Sequence, residues 1–366
     1  MHKVIFKKAV YDYETLKPIL FEMIDSISGD CIKRQDRVLV KPNLLLPAKP
    51  EKAILTHPLV VRVVAEYIQS KGGYVQISDS PATGSFEKIL KEGGYKKTLK
   101  DIGVEFKEFQ TSVKVDIGEP FGSIDIAKDA VEADVVINLA KLKTHSQMLL
   151  TLGVKNMFGC IVGLKKPEWH FRSGVDREIF AKLLVQIYNA IKPSITIIDG
   201  ILAMEGQGPG KSGIPRHLGI LVGSDNASAA DMAVCSMLGV EPDNLLTVKE
   251  AKKTGLVSNK IHISGDFYMV NDFLLPAQTS LMFGPKVFHK FMRKHLLQRP
   301  LVNNHICQLC GECWQYCPTK AIAKQEKGIG FDYDRCIRCY CCIEVCPHGA
   351  LSSAEPLPGK ILSLFR

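Results

Sequence analysis

The chain has 366 residues, 46% of them hydrophobic and 23% charged, a balance ordinary for a globular protein and more than one hydrophobic core usually holds. No apolar run reaches the roughly eighteen residues of a membrane span, and the opening MHKVIFKKAV has no long apolar stretch, so the expectation is a cytoplasmic protein without a transmembrane segment. Five of the charges behind the net +9 (Lys286, Lys290, Arg293, Lys294, Arg299) fall in residues 285–300 without one acid, and no zinc finger, RNA-binding sheet motif or aromatic-laced basic stripe accompanies them, so nucleic acid is not indicated.

Strand and helix signals alternate over the first 280 residues or so, which predicts an α/β fold. The expected architecture is a largely parallel sheet with helices on both faces. Arg37–Lys41 reads as a buried strand stopped by Pro42-Asn43. After His57-Pro58, Val60, Val61, Val64, Ala65 and Ile68 recur at helical spacing, closed by Gly72-Gly73. Tyr74–Ser78 reads as a strand ending at Asp79, and short helices follow at Phe86–Glu92 and Lys96–Asp101. Ala133–Leu139 is the most clearly central strand. Arg177–Ile191 is an amphipathic helix ended by Pro193, and Ser194–Ile198 a strand stopped at Asp199-Gly200. Leu218–Gly223 leads to Asp225, Ala227–Leu238 reads as a helix, and Ile261–Ser264 as an edge strand. Residues 285–300 form an expected basic amphipathic linker helix between an α/β ligand-binding unit (1–284) and a C-terminal unit (301–355), with 356–366 as a tail.

In open parallel sheets, ligands bind outside the carboxyl ends of the strands. Those ends carry Lys41 and Asn43, Asp79, the run Lys141–His145, Asp199 and Asp225. From Val135 to Pro167 there is no acid, whereas Lys141, Lys143, His145, Lys155, Lys165 and Lys166 all occur. An extended Lys141–His145 places Lys141, Lys143 and His145 on one face, a compact cationic surface suited to carboxylate or phosphate. Lys155 and Asn156 join the expected anion-binding set, and Lys143, His145 and His170 are the candidates for chemistry.

Gly206–Gly213 imitates nucleotide motifs without meeting their requirements. Gly208-x-Gly210-x-x-Gly213 is followed by Ile214-Pro215 instead of a helix, and Gly210-Lys211-Ser212 has Glu205 where a P-loop needs its first glycine. A flexible lid over the strand ends is the expected role.

The cysteines carry the strongest pattern. Nine of the twelve lie between Cys307 and Cys346, as Cys307-x-x-Cys310-x-x-Cys313-x-x-x-Cys317-Pro318 and, 29 positions on, Cys336-x-x-Cys339-x-x-Cys342-x-x-x-Cys346-Pro347. Ala321-Ile322 returns at the same offset as Ala350-Leu351. Thiolates are the soft ligands that iron–sulfur clusters take, and in this pattern the fourth cysteine of each run ligates the other cluster. Two [4Fe-4S] clusters are therefore expected, one on Cys307, Cys310, Cys313 and Cys346, the other on Cys336, Cys339, Cys342 and Cys317. Zinc sites or a disulfide framework fit the spacing poorly. Cys341 is left over, as a small packed side chain.

This stretch resembles the two-cluster bacterial-type ferredoxin domain, a small α+β unit. Upstream, KPNLL at Lys41–Leu45, THP at Thr56–Pro58, SDSP at Ser78–Pro81, KLKTH, TLGVKNMFG at Thr151–Gly159, His170, IIDGI at Ile197–Ile201 and MEGQGPG at Met204–Gly210 together resemble the domain of unknown function 362 family. The resemblance runs from about residue 35 to 240 plus the ferredoxin end, and implies an iron–sulfur protein without fixing a reaction. The leading expectation is an oxygen-sensitive oxidoreductase that passes electrons to an anionic small molecule or cofactor at the strand ends. The alternative is an electron carrier, or an accessory that activates or matures a partner enzyme's cofactor, and a redox partner protein goes with that alternative.

Overall fold

The computed structural model describes residues 2–163, 165–174, 176–276, 298–326, 328–354 and 356. Its centre is a nine-stranded sheet in the order β11-β1-β10-β9-β7-β2-β3-β4, with β8 paired to β7. The strands are β1 Lys3–Lys8, β2 Arg37–Pro42, β3 Tyr74–Ile77, β4 Glu105–Phe106, β7 Val135–His145, β8 Leu149–Thr151, β9 Ile195–Gly206, β10 Gly213–Ser224 and β11 His262–Gly265. A separate hairpin, β5 Ser112–Asp116 with β6 Ser123–Ala127, lies between β4 and β7 in the chain. Pairings β4–β3–β2–β7–β9 and β1–β11 are parallel; β10 is antiparallel to both β9 and β1.

The strand pleat sorts the core onto two faces. Val38, Val40, Ile137 and Leu139 pack with Leu16, Leu20 and Val64 on one side, from helices Tyr13–Ser28 and Pro58–Ser70. Leu39, Val136 and Leu142 pack on the other with Phe180, Leu184 and Ala230, from helices Arg177–Ile191 and Ala227–Met237. The chain is thus α/β with a mostly parallel sheet and helices on both faces. Caps set the boundaries: Asp176 accepts from Glu178 N and Ile179 N, and Lys192 takes a left-handed φ of 50° before Pro193 stops Arg177–Ile191.

Strand direction corrects one expectation. Because β10 runs antiparallel, Ser224 pairs with Thr196 at the start of β9, so Asp225 emerges at the opposite end of the sheet from Lys41 and Asp79. There it sits 3.3 Å from His2 Nδ1.

The C-terminal part builds a pseudo-twofold from its repeat. Strand β12 Arg299–Val302, helix Glu312–Gln315 and strand β13 Ile322–Gln325 recur as β14 Gly328–Phe331, helix Cys341–Val345 and β15 Leu351–Ala354. The pairs cross between repeats, β12 with β15 and β13 with β14. Even the left-handed residues match at the 29-residue offset: Leu309 with Arg338, Gly311 with Tyr340, and Lys320 with Gly349. Such non-glycine conformations cost energy and persist only where the surroundings fix them. Most of the expected linker helix, residues 285–297, lies outside the described residues, as does all of the tail except Pro356. Arg299 and Pro300, its last expected positions, are strand, because the repeat starts there.

Candidate functional site

The carboxyl ends of β2, β3 and β7, the segment Thr151–Gly159 and the C-terminal unit line a shared pocket. Its floor is a network of buried polar groups. Lys41 Nζ lies 2.8 Å from Asp79 Oδ1 and donates to Pro42 O and Asn156 Oδ1. Asn43 ties its amide to Asn156 Oδ1 at 2.8 Å and accepts from Lys143 Nζ at 2.8 Å. Lys143 Nζ also donates to Ile54 O. Gly159 passes directly over this floor: a Cβ there would stand 2.2 Å from Asp79 Oδ1 and 2.4 Å from Lys41 Nζ.

The pocket is cationic, and its cations are uncomfortable. Burial pulls Lys143 down to about 7, helped by the charge of Lys155, and pulls Lys166 down to about 8. Burial also lowers Lys155. Lys155 Nζ has no hydrogen-bond or ion-pair partner among the described residues, and the buried Thr151 Oγ1 and His170 Nδ1, also in the pocket wall, have none either. The helix Gly153–Asn156 that presents Lys155 is held from behind by Asp231, whose carboxylate accepts from Gly153 N at 2.7 Å and Val154 N at 3.1 Å.

The far wall comes from the C-terminal unit: Tyr316, Cys341, Glu344 and Val345. Tyr316 and Val345 are equivalent positions of the repeat, so the pseudo-twofold brings both helices to the opening. The join is polar and specific. His145 Nδ1 accepts from Gln147 N and Met148 N, which leaves the ring proton on Nε2, 2.6 Å from Glu344 Oε1. Burial holds His145 down at about 4, so the ring is neutral. Burial works against ionisation of Glu344, yet His145 and Lys155 outweigh it and keep the carboxyl below its usual range. Thr83 Oγ1 donates to Glu312 Oε2, Ser212 Oγ to Leu351 O, and Ser353 Oγ to Gln207 Oε1.

Those last bonds locate the glycine run. It is the tip of the β9–β10 hairpin, pressed between the two units. Gly208 N bonds Thr144 Oγ1, its carbonyl accepts from Ser146 N, and a Cβ at Gly208 would meet Thr144 O at 2.4 Å. At Gly210 a Cβ would lie 3.2 Å from the carbonyls of Ile343 and Glu344. The glycines allow close backbone approach in a pinned strap that holds the C-terminal unit, in place of the expected flexible lid.

The thiols gather round two further cavities. Cys307, Cys310, Cys313 and Cys346 line one, and Cys317, Cys336, Cys339 and Cys342 line the other, with Cys341. Four thiols round an enclosed space fit a [4Fe-4S] cluster. The repeated alanines now have a role: Ala321 N donates to Cys317 Sγ at 3.2 Å and Ala350 N to Cys346 Sγ at 3.3 Å. Each bond supports a thiolate.

Of the site residues expected from sequence, Lys41, Asn43, Asp79, Lys143, Lys155, Asn156 and His170 line the pocket. Lys141 and Asp199 do not; they form a buried pair at 2.8 Å beside it, completed by Tyr11 and the His57 amide. His145 stands behind Glu344. The compact cationic face is therefore corrected: Lys141, Lys143 and His145 share a strand face, but each is buried with its own partner. Sequence reasoning missed Thr151, Lys166, Tyr316 and Glu344. Glu344 did carry a signal, since it replaces Gln315 of the first repeat.

Among the described residues no helix is long and apolar enough to cross a membrane. Residues 306–350 match the 4Fe-4S dicluster domain, and residues 38–236 match the domain of unknown function DUF362. A thylakoid-associated protein of Synechocystis sp. is 36% identical over 254 residues, 69% of this chain and 79% of that protein. Pyruvate synthase subunit PorD of Thermotoga maritima is 46% identical over 57 residues, 15% of this chain and 57% of the subunit. Among solved structures, the lactate racemase apoprotein of Thermoanaerobacterium thermosaccharolyticum superposes with a TM-score of 0.37 at 13% identity, covering 55% of this chain and 50% of that one. With more than half of its length matched by one family model and the cysteine repeat by another, the chain belongs to the DUF362 family and carries a 4Fe-4S dicluster domain for iron–sulfur electron transfer.

Proposed function

We propose that the chain is an iron–sulfur reductase acting on an anionic small molecule or cofactor, a carboxylate or phosphate, in the pocket between residues 1–284 and the cluster-bearing residues 301–355. One observation carries the reading: Lys155 Nζ, Thr151 Oγ1 and His170 Nδ1, all without partners among the described residues, line a pocket whose opposite wall belongs to the dicluster domain. Thr151 Oγ1 and His170 Nδ1 are buried, where polar groups without partners are costly, and a bound anion at the half-buried Lys155 supplies what the site lacks. Two [4Fe-4S] clusters, held by the two sets of four thiols, supply single electrons.

The chain's own residues do the rest. Lys155 and Lys143 bind the anionic group, with Thr151 as a neutral donor. Lys41, Asp79, Asn43 and Asn156 fix the floor and the Lys143 head. His170, held neutral at about 3 by burial, stands against the ligand as a hydrogen-bonding group and proton relay. Lys143, near 7, can release or accept a proton at physiological pH. Lys141 and Asp199 brace the strand end, and His145 orients Glu344. The glycine strap and the C-terminal wall exclude water.

A second reading is favoured by the likeness of 57 residues of the chain to PorD, named as a subunit: the dicluster domain exchanges electrons with a protein partner, and the first part of the chain recognises that partner or its cofactor. Both readings place the protein in the cytoplasm under oxygen-poor conditions. The test is single-turnover reduction by the anaerobically purified chain with dithionite as the electron source. Oxidation of the reduced protein by small anions extracted from the native cell supports the reductase; oxidation only when a second protein is added supports the carrier.

A further inference from the structure

Cys341 stands in two walls at once. It lines the pocket beside Tyr316 and Glu344, and it lines the cavity of Cys317, Cys336, Cys339 and Cys342. The cavity of Cys307, Cys310, Cys313 and Cys346 shares no residue with the pocket. Cys346 follows Val345 in the chain, but the backbone turns extended there and its thiol faces the other cavity. The repeat makes the asymmetry visible: Cys341 is equivalent to Glu312, which is bonded to Thr83 outside the pocket lining. At the first thiol set the surroundings are open, with Cys310 exposed and Leu309 and Ile306 exposed beside it.

A single cysteine would not make this a site. The independent sign is the pair of buried, unpartnered groups, Thr151 Oγ1 and His170 Nδ1, in the same pocket. We infer that the cluster held by Cys317, Cys336, Cys339 and Cys342 is the redox neighbour of the pocket, with the Cys341 side chain as the partition, and that the cluster on Cys307, Cys310, Cys313 and Cys346 lies on the outer, electron-receiving side. The inference rests on the reading of the pocket as the ligand site. Electrons come from a low-potential one-electron donor; each one passed onward oxidises one ferrous iron of the inner cluster to ferric and adds one electron to the ligand. Cys341 forms no bond in that step. Its thiol is a thin, polarisable wall, where a larger or charged side chain would separate the two spaces.

The test uses the full chain, purified without oxygen and loaded with both clusters, under potentiometric titration followed by electron paramagnetic resonance. Cys307→Ser identifies which signal belongs to the outer cluster. Lys155→Met removes a positive charge from the pocket, so the inner cluster's midpoint potential falls while the outer one's stays put. Cys341→Ala changes the line shape of the inner signal only and leaves the iron content unaltered. A shift confined to the outer signal, equal shifts in both, or no shift in either signal overturns the inference. These readouts need no ligand, so they separate from the ligand reading itself: titration of wild type and Lys155→Met with inorganic phosphate and with oxalate tests that. Binding lost in Lys155→Met with no inner-cluster shift keeps the pocket and overturns the electron order.

Discussion

His145 Nε2 lies 2.6 Å from Glu344 Oε1, joining the end of the central strand to the helix between the last cysteines. Both groups are almost out of solvent, so neither can turn to water if the other is removed. Taking away the carboxylate leaves the buried imidazole without its close polar neighbour, a loss of roughly 1–3 kcal/mol. Glu344→Ala is expected to destabilise the chain by about that much. Glu344→Gln, which keeps a neutral acceptor, loses less. The check is anaerobic thermal unfolding with iron content measured first; equal midpoints for wild type and Glu344→Ala would show that this pair does not join the units.

Lys143 gives a pH signature. Held near 7, it is mainly charged at pH 6 and mainly neutral at pH 8, so the affinity for oxalate, whose own charge is constant there, weakens as pH rises through 7. Binding takes up a proton in the same range, visible as a buffer-dependent heat in calorimetry. Lys143→Ala costs a charge-assisted contact, roughly ten- to a hundredfold in affinity at pH 6. Lys143→Arg stays charged and flattens the profile. For stability the sign is opposite to that of a paired lysine: the native form binds the proton less tightly than the unfolded chain, so stability rises with pH from about 7 toward 10.5. A flat binding profile in wild type contradicts the placement of Lys143.

Gly159 tests the floor. A methyl group there meets the Lys41–Asp79 pair well inside contact distance, so Gly159→Ala must spread two buried charges apart. Overpacking costs about 1–3 kcal/mol, and separating the charges adds to it. Lower thermal stability with both clusters retained, together with weakened phosphate binding, is the expected result. An unchanged melting profile would mean that the backbone gives way easily.

Much of this was legible in the sequence, for reasons that also mark where legibility stopped. Arg177–Ile191 was readable to the residue because an amphipathic period and a following proline agree. The cysteine spacing named its own chemistry. Asp225 was misplaced because a buried strand shows the same apolar run in either direction, and only its pairing with β9 reveals that β10 is antiparallel. Lys141 and Lys143 look alike in the KLKTH run, yet one pairs with Asp199 and the other bonds Asn43; such partners come from strands far away in the chain. Glu344 and Cys341 gain their meaning only where two units meet, which no periodicity encodes.

The thiol grouping yields a stoichiometric prediction. Anaerobically purified protein carries about eight irons per chain with matching acid-labile sulfide, as two four-iron clusters require. Cys346→Ser disturbs the cluster shared with Cys307, Cys310 and Cys313, although Cys346 lies in the second run, and Cys341→Ser leaves the iron content unchanged. Loss of a cluster in Cys341→Ser, seen by electron paramagnetic resonance, would show that the register of ligands is different.

The most direct test of the central claim is mass spectrometry of the small molecules released from anaerobically purified wild type and Lys155→Ala, prepared side by side with equal iron content. The account predicts an anionic compound at close to one per chain in wild type and at least roughly tenfold less in Lys155→Ala, the loss expected for one charge-assisted contact. The same complement of compounds in both proteins would contradict it.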